Sequence, residues 1–315
     1  MKPKLIVVLG PTAVGKSATA LDLATRFNAE IISADSQQVY RQMDIGTAKP
    51  TKAHREKVAH HLIDIVDPDE EFNAAMFRRL AAESAGQISA RKKNVIICGG
   101  TGLYLKALTR GLFVGPGRDT RIRQALESEM REQGIGALHR RLGKLDPGSL
   151  ARIHANDRQR IIRALEVYQL SGRTISEWQK EHAFGEAAFE LLKIGINRPR
   201  PGLYDLIDHR CDRMIQAGLV DEVRELLAKG YAPELKSMQS VGYRHAGLII
   251  RGEMALDDAV ALMKRDTRHL AKRQLTWFRG DQEIRWFHPE ADRQKIEAIV
   301  GDFLGGRADL TQAVP

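Results

Sequence analysis

The chain has only two cysteines in 315 residues, Cys98 and Cys211, far apart and without C-x-x-C spacing. That excludes a disulfide framework and a structural zinc site and leads us to expect a reducing compartment, the cytoplasm. No apolar run approaches the ~18 residues of a spanning helix, so no membrane segment is expected. The opening "MKPKLIVVLG" has the basic tip and apolar run of a secretory signal. Gly10-Pro11 ends that run early and no small-x-small cleavage site follows, so a signal is not expected either. Internal repeats and low-complexity tracts are also missing.

What is present is the composition of a folded protein, 43% hydrophobic and 28% charged. Lys and Arg outnumber Asp and Glu by 49 to 40, an excess that suits a polyanionic partner and equally an ordinary basic enzyme. Short apolar runs at 4–10, 30–35 and 94–98 read as buried strands, with 61–68 as a further one. Helical spacing fills 16–27, 73–91 (with Asn73 as N-cap) and 103–110, the last stopped by Gly111. This alternation predicts an α/β core with a mostly parallel sheet and ligands at the carboxyl ends of its strands. From 118 to 185 the texture is helical and charged, with Asn156 expected to cap the clearest helix and Gly172 to end it. A strand returns at 191–197. Helices follow at 201–217, 219–229, 240–251 and 255–279, then a strand at 284–288. The expected domains are a core of 1–117 and 186–305, an all-helical insertion of 118–185, and a flexible tail of 306–315.

The segment "GPTAVGKS", comprising Gly10, Pro11, Thr12, Ala13, Val14, Gly15, Lys16 and Ser17, fits G-x-x-x-x-G-K-[ST] between a strand and a helix. Such a P-loop turns backbone N–H groups toward phosphate oxygens; Lys16 adds a charge and Ser17 a hydroxyl for Mg²⁺. The acid that should end a neighbouring apolar strand in a P-loop nucleotidase is missing, since the strand at 94–98 runs into "GGTG". The first acid after a core strand is Asp35, followed by Ser36, Gln37 and Gln38. A carboxylate there can take a proton from an attacking group, and the amides can pair with a base edge. The same Asp-Ser pair also suits a helix-capping turn, and small-molecule kinases place a substrate-orienting acid at this point.

Taken together, "GPTAVGKS", "ISADSQQVYRQMDIGTAKP", "CGGTGLY", "NDRQRIIRALEVY", "SVGYRH" and "AKRQLTWFRG" closely resemble the tRNA dimethylallyltransferases, from residue 5 to about 287. The resemblance implies a P-loop NTPase-like core and transfer of a dimethylallyl group from dimethylallyl diphosphate to N6 of the adenine 3′ to the anticodon, with Mg²⁺ as cofactor. It implies that the loop holds a departing diphosphate, that Asp35 is the base, and that Thr12 and Thr101 stand near the diphosphate and the target nucleotide. A hydroxyl in a glycine-rich turn serves as readily as a backbone cap. The tRNA contacts implied are Asp35, Ser36, Gln37, Gln38, Thr101, Arg123, and the run Gln159, Arg160, Ile161, Ile162 and Arg163. Arg265, Arg268, Lys272 and Arg279 share one face of the last long helix, beside Arg273 and with Trp277 free to pack or stack. A solvated helix face is the plainer explanation for either basic helix taken alone, but two such faces, the positive net charge and the resemblance together point to tRNA contact, including by Lys272, Arg273 and Arg279. Arg210 or Arg213 is a further candidate for the diphosphate.

The rivals are a small-molecule P-loop kinase, a prenyl transferase acting on free AMP or ATP, and a nucleotide-gated RNA-binding protein. The basic helices favour tRNA over the first two, and Asp35 counts against the third. No D-D-x-x-D occurs, which sets the chain apart from Asp-rich prenyltransferases, and two cysteines cannot furnish the zinc finger of larger family members. A cytoplasmic monomer is expected.

Overall fold

The computed structural model describes residues 2–111, 115–181 and 188–306. The chain divides into two compact units, one of Met1–Thr109 with Ala187–Pro315 and one of Arg110–Glu186. The inserted unit thus opens before the expected 118. The expected flexible tail lies, beyond Gly306, outside the described residues.

In the first unit the chain runs β1 (Lys4–Leu9), α1 (Lys16–Arg26), β2 (Ala29–Ser33), α2 (Lys52–Lys57), β3 (His60–His61), α3 (Ala74–Ala90), β4 (Asn94–Gly99) and α4 (Gly102–Arg110). The second unit holds α5 (Thr120–Gln133), α6 (Ile135–Leu145), α7 (Pro147–Leu150), α8 (Arg158–Ser171) and α9 (Ile175–Glu181). The first unit resumes with β5 (Glu190–Ile196), α10 (Arg200–Gln216), α11 (Leu219–Ala228), α12 (Tyr243–Ile250), α13 (Leu256–Arg279), β6 (Ile284–Phe287) and α14 (Arg293–Gly305).

The six strands form one sheet in the order β3-β2-β4-β1-β5-β6, and every pairing is parallel. Its middle is β1, where Leu5, Ile6, Val7, Val8 and Leu9 are at most 2% exposed. Burial on both faces explains why this run is apolar throughout rather than alternating. Helix α3 covers the sheet with Phe77, Ala81, Ala85 and Ile88, all buried on one stripe, and starts at Asn73, whose side chain accepts from the Ala75 and Met76 N–H groups. Register decides where the chemistry sits. Leu9 pairs with Gly99 and Ser33 with Cys98, so β1, β4 and β2 end at one level and deliver the P-loop, the "GGTG" turn and Asp35 to one edge.

Three expectations need correction. The strand expected at 61–68 is two residues long, because Leu62 (φ 59°) and Asp64 (φ 57°) leave extended backbone and only Val66 makes an isolated bridge, to Tyr40. Asp64 turns instead to Lys49 and Arg55, at 2.5 and 2.7 Å. The helix expected at 240–251 begins at Tyr243, since Gly242 has φ 98°. Asp157, not Asn156, caps α8, accepting from the Arg160 N–H at 3.1 Å.

The second unit closes on its own apolar cluster of Leu126, Leu138, Leu142, Ile161, Ile162 and Leu165. Beside it lies Glu166, whose side chain is fully buried. Its carboxylate accepts from Arg123 at 2.9 and 3.1 Å, from Arg163 at 2.8 Å and from the Asp119 N–H at 2.9 Å. Burial opposes that charge, but the Arg123 and Arg163 hydrogen bonds hold its pKa below the usual carboxylate value. Removing one partner of such a group costs more than the pair contributes, because the remainder stays desolvated and unpaired. Glu166→Ala is therefore expected to destabilise this unit by about 3–5 kcal/mol, read as a lower urea midpoint; an unchanged midpoint would show that the cluster is not needed.

Candidate functional site

At the carboxyl edge of the sheet lies a cavity of about 480 Å³. Lys16, Arg210, Arg244 and Arg273 line it, and Asp35 is the sole acid in its lining. Arg244 is paired with Asp266 at 2.5 Å. Lys16 and Arg210 have no ion pair among the described residues, so the cavity carries a positive excess suited to a polyanion.

The P-loop supplies one wall. Helix α1 begins at Gly15 with no side-chain cap, which leaves its first-turn N–H groups to a ligand. Lys16 Nζ donates to the Pro11 carbonyl at 2.6 Å. Burial lowers its pKa to about 8, the nearby Arg210 adding to the shift against the opposing influence of Cys98 and Asp35. Arg210 on α10 is likewise pushed down by burial, with Asp35 opposing. Of the two arginines considered for the diphosphate, Arg210 lines the cavity, whereas Arg213 does not and is exposed. Thr12 and Ser17 line it too. Gly10, Pro11 and Val14 are buried and shape the loop from behind, with the Val14 carbonyl accepting from Arg198 at 3.1 Å; Ala13 is half-buried.

Asp35 uses one carboxylate oxygen within the fold. Its Oδ1 accepts from the Gln37 and Gln38 N–H groups at 2.8 and 3.4 Å, which is the capping turn its sequence allowed. No hydrogen bond among the described residues engages Oδ2, which stays available to a substrate. The Gln37 side-chain oxygen is buried and has no hydrogen-bond partner among the described residues. Gln38 is different: its oxygen accepts from Ser33 at 2.9 Å and its amide donates to the Thr47 and Ala48 carbonyls at 3.3 and 3.4 Å. Its amide is engaged within the fold, not left for a base. The Thr101 hydroxyl accepts from the Ser36 N–H at 3.0 Å, so it too ties the Asp35 turn in place while lining the cavity.

Two organising residues escaped the sequence reading. Gln274 on α13 accepts from the Thr12 N–H at 2.8 Å and donates to the Gly100 carbonyl at 2.9 Å, joining the P-loop to the "GGTG" turn. Glu222 on α11 accepts from the consecutive N–H groups of Asp44, Ile45 and Gly46 at 3.0, 2.8 and 3.4 Å, and from the Tyr243 hydroxyl at 2.5 Å. Those residues lead into Gly46, Thr47 and Ala48, which form another cavity wall. Position 46 must be glycine, because a Cβ there would stand 2.4 Å from the Tyr243 ring. Gln274 lies within the segment "AKRQLTWFRG" and Glu222 in none of the quoted segments, and no spacing ties either residue to its distant partners.

Among the residues expected to touch tRNA, the structure separates exposed from engaged ones. Ile161 and Ile162 are 0% and 3% exposed and belong to the apolar cluster; that expectation is wrong, because the run "QRIIR" turns its middle inward. Arg123 and Arg163 direct their guanidinium groups to Glu166. Gln159 and Arg160 are exposed, the latter within 3.3 Å of Asp157. On α13, Arg265 and Arg268 are committed to Asp266 and Asp208. Lys272, Arg273 and Arg279 are exposed and have no ion pair among the described residues.

A family model described as IPP transferase matches residues 38–281. The chain is 52% identical over 304 residues to a tRNA dimethylallyltransferase of Geobacter metallireducens, covering 96% of this chain and 97% of that one. It is 54% identical over 296 residues to one of Syntrophobacter fumaroxidans, covering 94% and 86%. Among solved structures, a tRNA isopentenylpyrophosphate transferase of Bacillus halodurans matches with TM-score 0.73 and 39% identity over 98% of this chain and 99% of that one. A eukaryotic dimethylallyltransferase acting on tRNA matches with TM-score 0.82 and 27% identity, over 98% and 81%.

The matched stretch includes both the 44–46 wall and Glu222. A hydrogen bond to a charged group contributes about 1.5–3 kcal/mol. Glu222→Ala should accordingly speed amide hydrogen exchange at Asp44, Ile45 and Gly46 by at least about tenfold; exchange at the wild-type rate would mean the wall does not depend on this carboxylate.

Proposed function

The chain belongs to the IPP transferase family, and on that premise we propose that its cavity passes the dimethylallyl group of dimethylallyl diphosphate to N6 of a tRNA adenine. Its relatives are tRNA dimethylallyltransferases, and the target we assign is the adenine 3′ to the anticodon, position 37. The observation that carries the proposal is the meeting, in one cavity, of Lys16 and Arg210 without ion-pair partners and Asp35 with an unengaged Oδ2.

The chemistry follows from those groups. Breaking the allylic C–O bond leaves its electron pair on the diphosphate, so negative charge grows where Lys16, Arg210 and the α1 N-terminus stand ready to stabilise it. The adenine amino group is a poor nucleophile, its lone pair being delocalised into the ring. Asp35 Oδ2 orients N6 by accepting one N–H and takes that proton as the N–C bond forms. Thr12 and Thr101 sit in the same lining and position the two substrates.

No cluster of three His, Cys, Asp or Glu residues that could cage a metal occurs among the described residues. Ser17, in the cavity lining, would hold Mg²⁺ together with the substrate's phosphate oxygens and water, since Mg²⁺ in phosphate sites keeps much of its hydration. When bound it would offset charge on the leaving diphosphate.

In the first unit, Lys272, Arg273 and Arg279 are offered to RNA, with Ser36 and Gln37 at the cavity; in the second unit, Arg110–Glu186, Gln159 and Arg160 are exposed and are offered to it as well. No described helix is long and apolar enough to cross a membrane, and a cytoplasmic monomer is the form proposed.

Incubation with Mg²⁺, dimethylallyl diphosphate and unmodified tRNA should yield a nucleoside heavier by one prenyl group; ATP consumption with an intact prenyl donor would refute the assignment. Asp35→Ala is expected to lower kcat by about 10²–10⁴ with little change in tRNA affinity, and near-normal turnover would remove the base from the mechanism. The diphosphate binds the protonated form of Lys16, which in the free enzyme is lost as pH rises through about 8. The KM for the donor should therefore climb above that pH, and in Lys16→Met the climb should vanish; an equal climb in both forms would assign it elsewhere.

A further inference from the structure

Four large apolar side chains stand exposed among the described residues, Trp277 (42%) among them. Trp277 lies on α13 one turn beyond Arg273 and Gln274, which line the cavity. Its indole rests on the backbone of Gly102, where a Cβ would come within 2.3 Å of Cδ1 and Nε1. Leu103 is the next residue along α4, and Thr101, just before, lines the cavity. The glycine therefore seats the ring at a set position beside the cavity while leaving much of it uncovered. Trp277 is not itself part of the cavity lining. Around it on the same helix are Lys272, Arg273 and Arg279, exposed and without ion pairs among the described residues.

An exposed aromatic face flanked by uncommitted cations is what binds single-stranded nucleic acid: the cations hold the backbone and the ring stacks a base. Drawing one adenine out of a loop also leaves its neighbours with an unstacked face. We propose that Trp277 is a stacking platform for the base immediately next to the target adenine, and that it steadies the loop once the adenine has entered the cavity. The proposal rests on the functional reading above and adds a recognition element to it. A protein or lipid partner fits less well, since either would require an apolar area larger than this side chain provides.

The test is a thermodynamic cycle on RNA affinity. An anticodon stem-loop is prepared intact and with an abasic site either 5′ or 3′ of the target adenine, and each is bound to wild type, Trp277→Ala and Trp277→Phe. Stacking is worth about 1–3 kcal/mol per base, or roughly 5- to 150-fold in affinity. Trp277→Ala should lose a factor in that range on intact RNA and nothing further on one of the two abasic RNAs, while Trp277→Phe should retain most of the affinity. The donor's KM, which would move if the ring merely braced α13 against the "GGTG" turn, should stay put in all three proteins. Equal losses on intact and both abasic RNAs, or a loss that appears in the donor's KM, would overturn the platform. Prenylation of the intact stem-loop by wild type, measured alongside, reports on the functional reading separately.

Discussion

The cavity depends on one constraint: β1 and β4 lie side by side and end in register, and a single amide spans the two turns that follow. Parallel neighbours present their carboxyl ends together, so the P-loop and the "GGTG" turn are adjacent by topology. Adjacency alone leaves two glycine-bearing turns free to move. Gln274 removes that freedom, because its oxygen can only accept and its nitrogen only donate, and it meets one partner of each kind. The Asp35 turn is added through Thr101, the 46–48 wall through Gln38, and the far side of that wall through Glu222. The reacting groups are thus few, and most polar side chains around them hold backbone in place.

Charge is divided in the same economical way. The chain's cationic excess suggested long basic faces, yet arginines on those faces differ in duty. Arg123 and Arg163 serve a buried carboxylate inside the second unit, and Arg265 and Arg268 serve aspartates of the first. Lys16 and Arg210 in the cavity, and Lys272, Arg273 and Arg279 on α13, have no ion pair among the described residues. A helical wheel cannot make that distinction, because it shows which residues share a face and not which acids from other elements meet them.

What could be read in advance was what local pattern encodes. Apolar runs, the P-loop spacing, the Asn73 cap and the Gly111 and Gly172 stops are each contained within a few residues, and the strands and helices they mark are present. Asp35 was legible because it follows a buried strand directly. The β3 strand was overestimated because apolar content between 61 and 68 carries no sign of two residues with positive φ. Ile161 and Ile162 were misjudged because a motif resemblance marks a segment, whereas burial alternates within it. Glu222 and Gln274 act on partners far away in the chain, on residues 44–46 and on 12 and 100, and no periodicity reports such a pairing.

The strand order has a consequence for how the molecule is made. Strand β1 leaves the ribosome first, and β4 can join it on one side well before the inserted unit appears. Its other neighbour, β5, follows that entire unit, so a wholly apolar strand keeps one bare edge throughout the interval. The inserted unit has its own apolar cluster and can compact while that edge waits. Translation is therefore the stage at which this protein is most open to chaperone capture or mispairing, and the hazard ends when residues 190–196 dock.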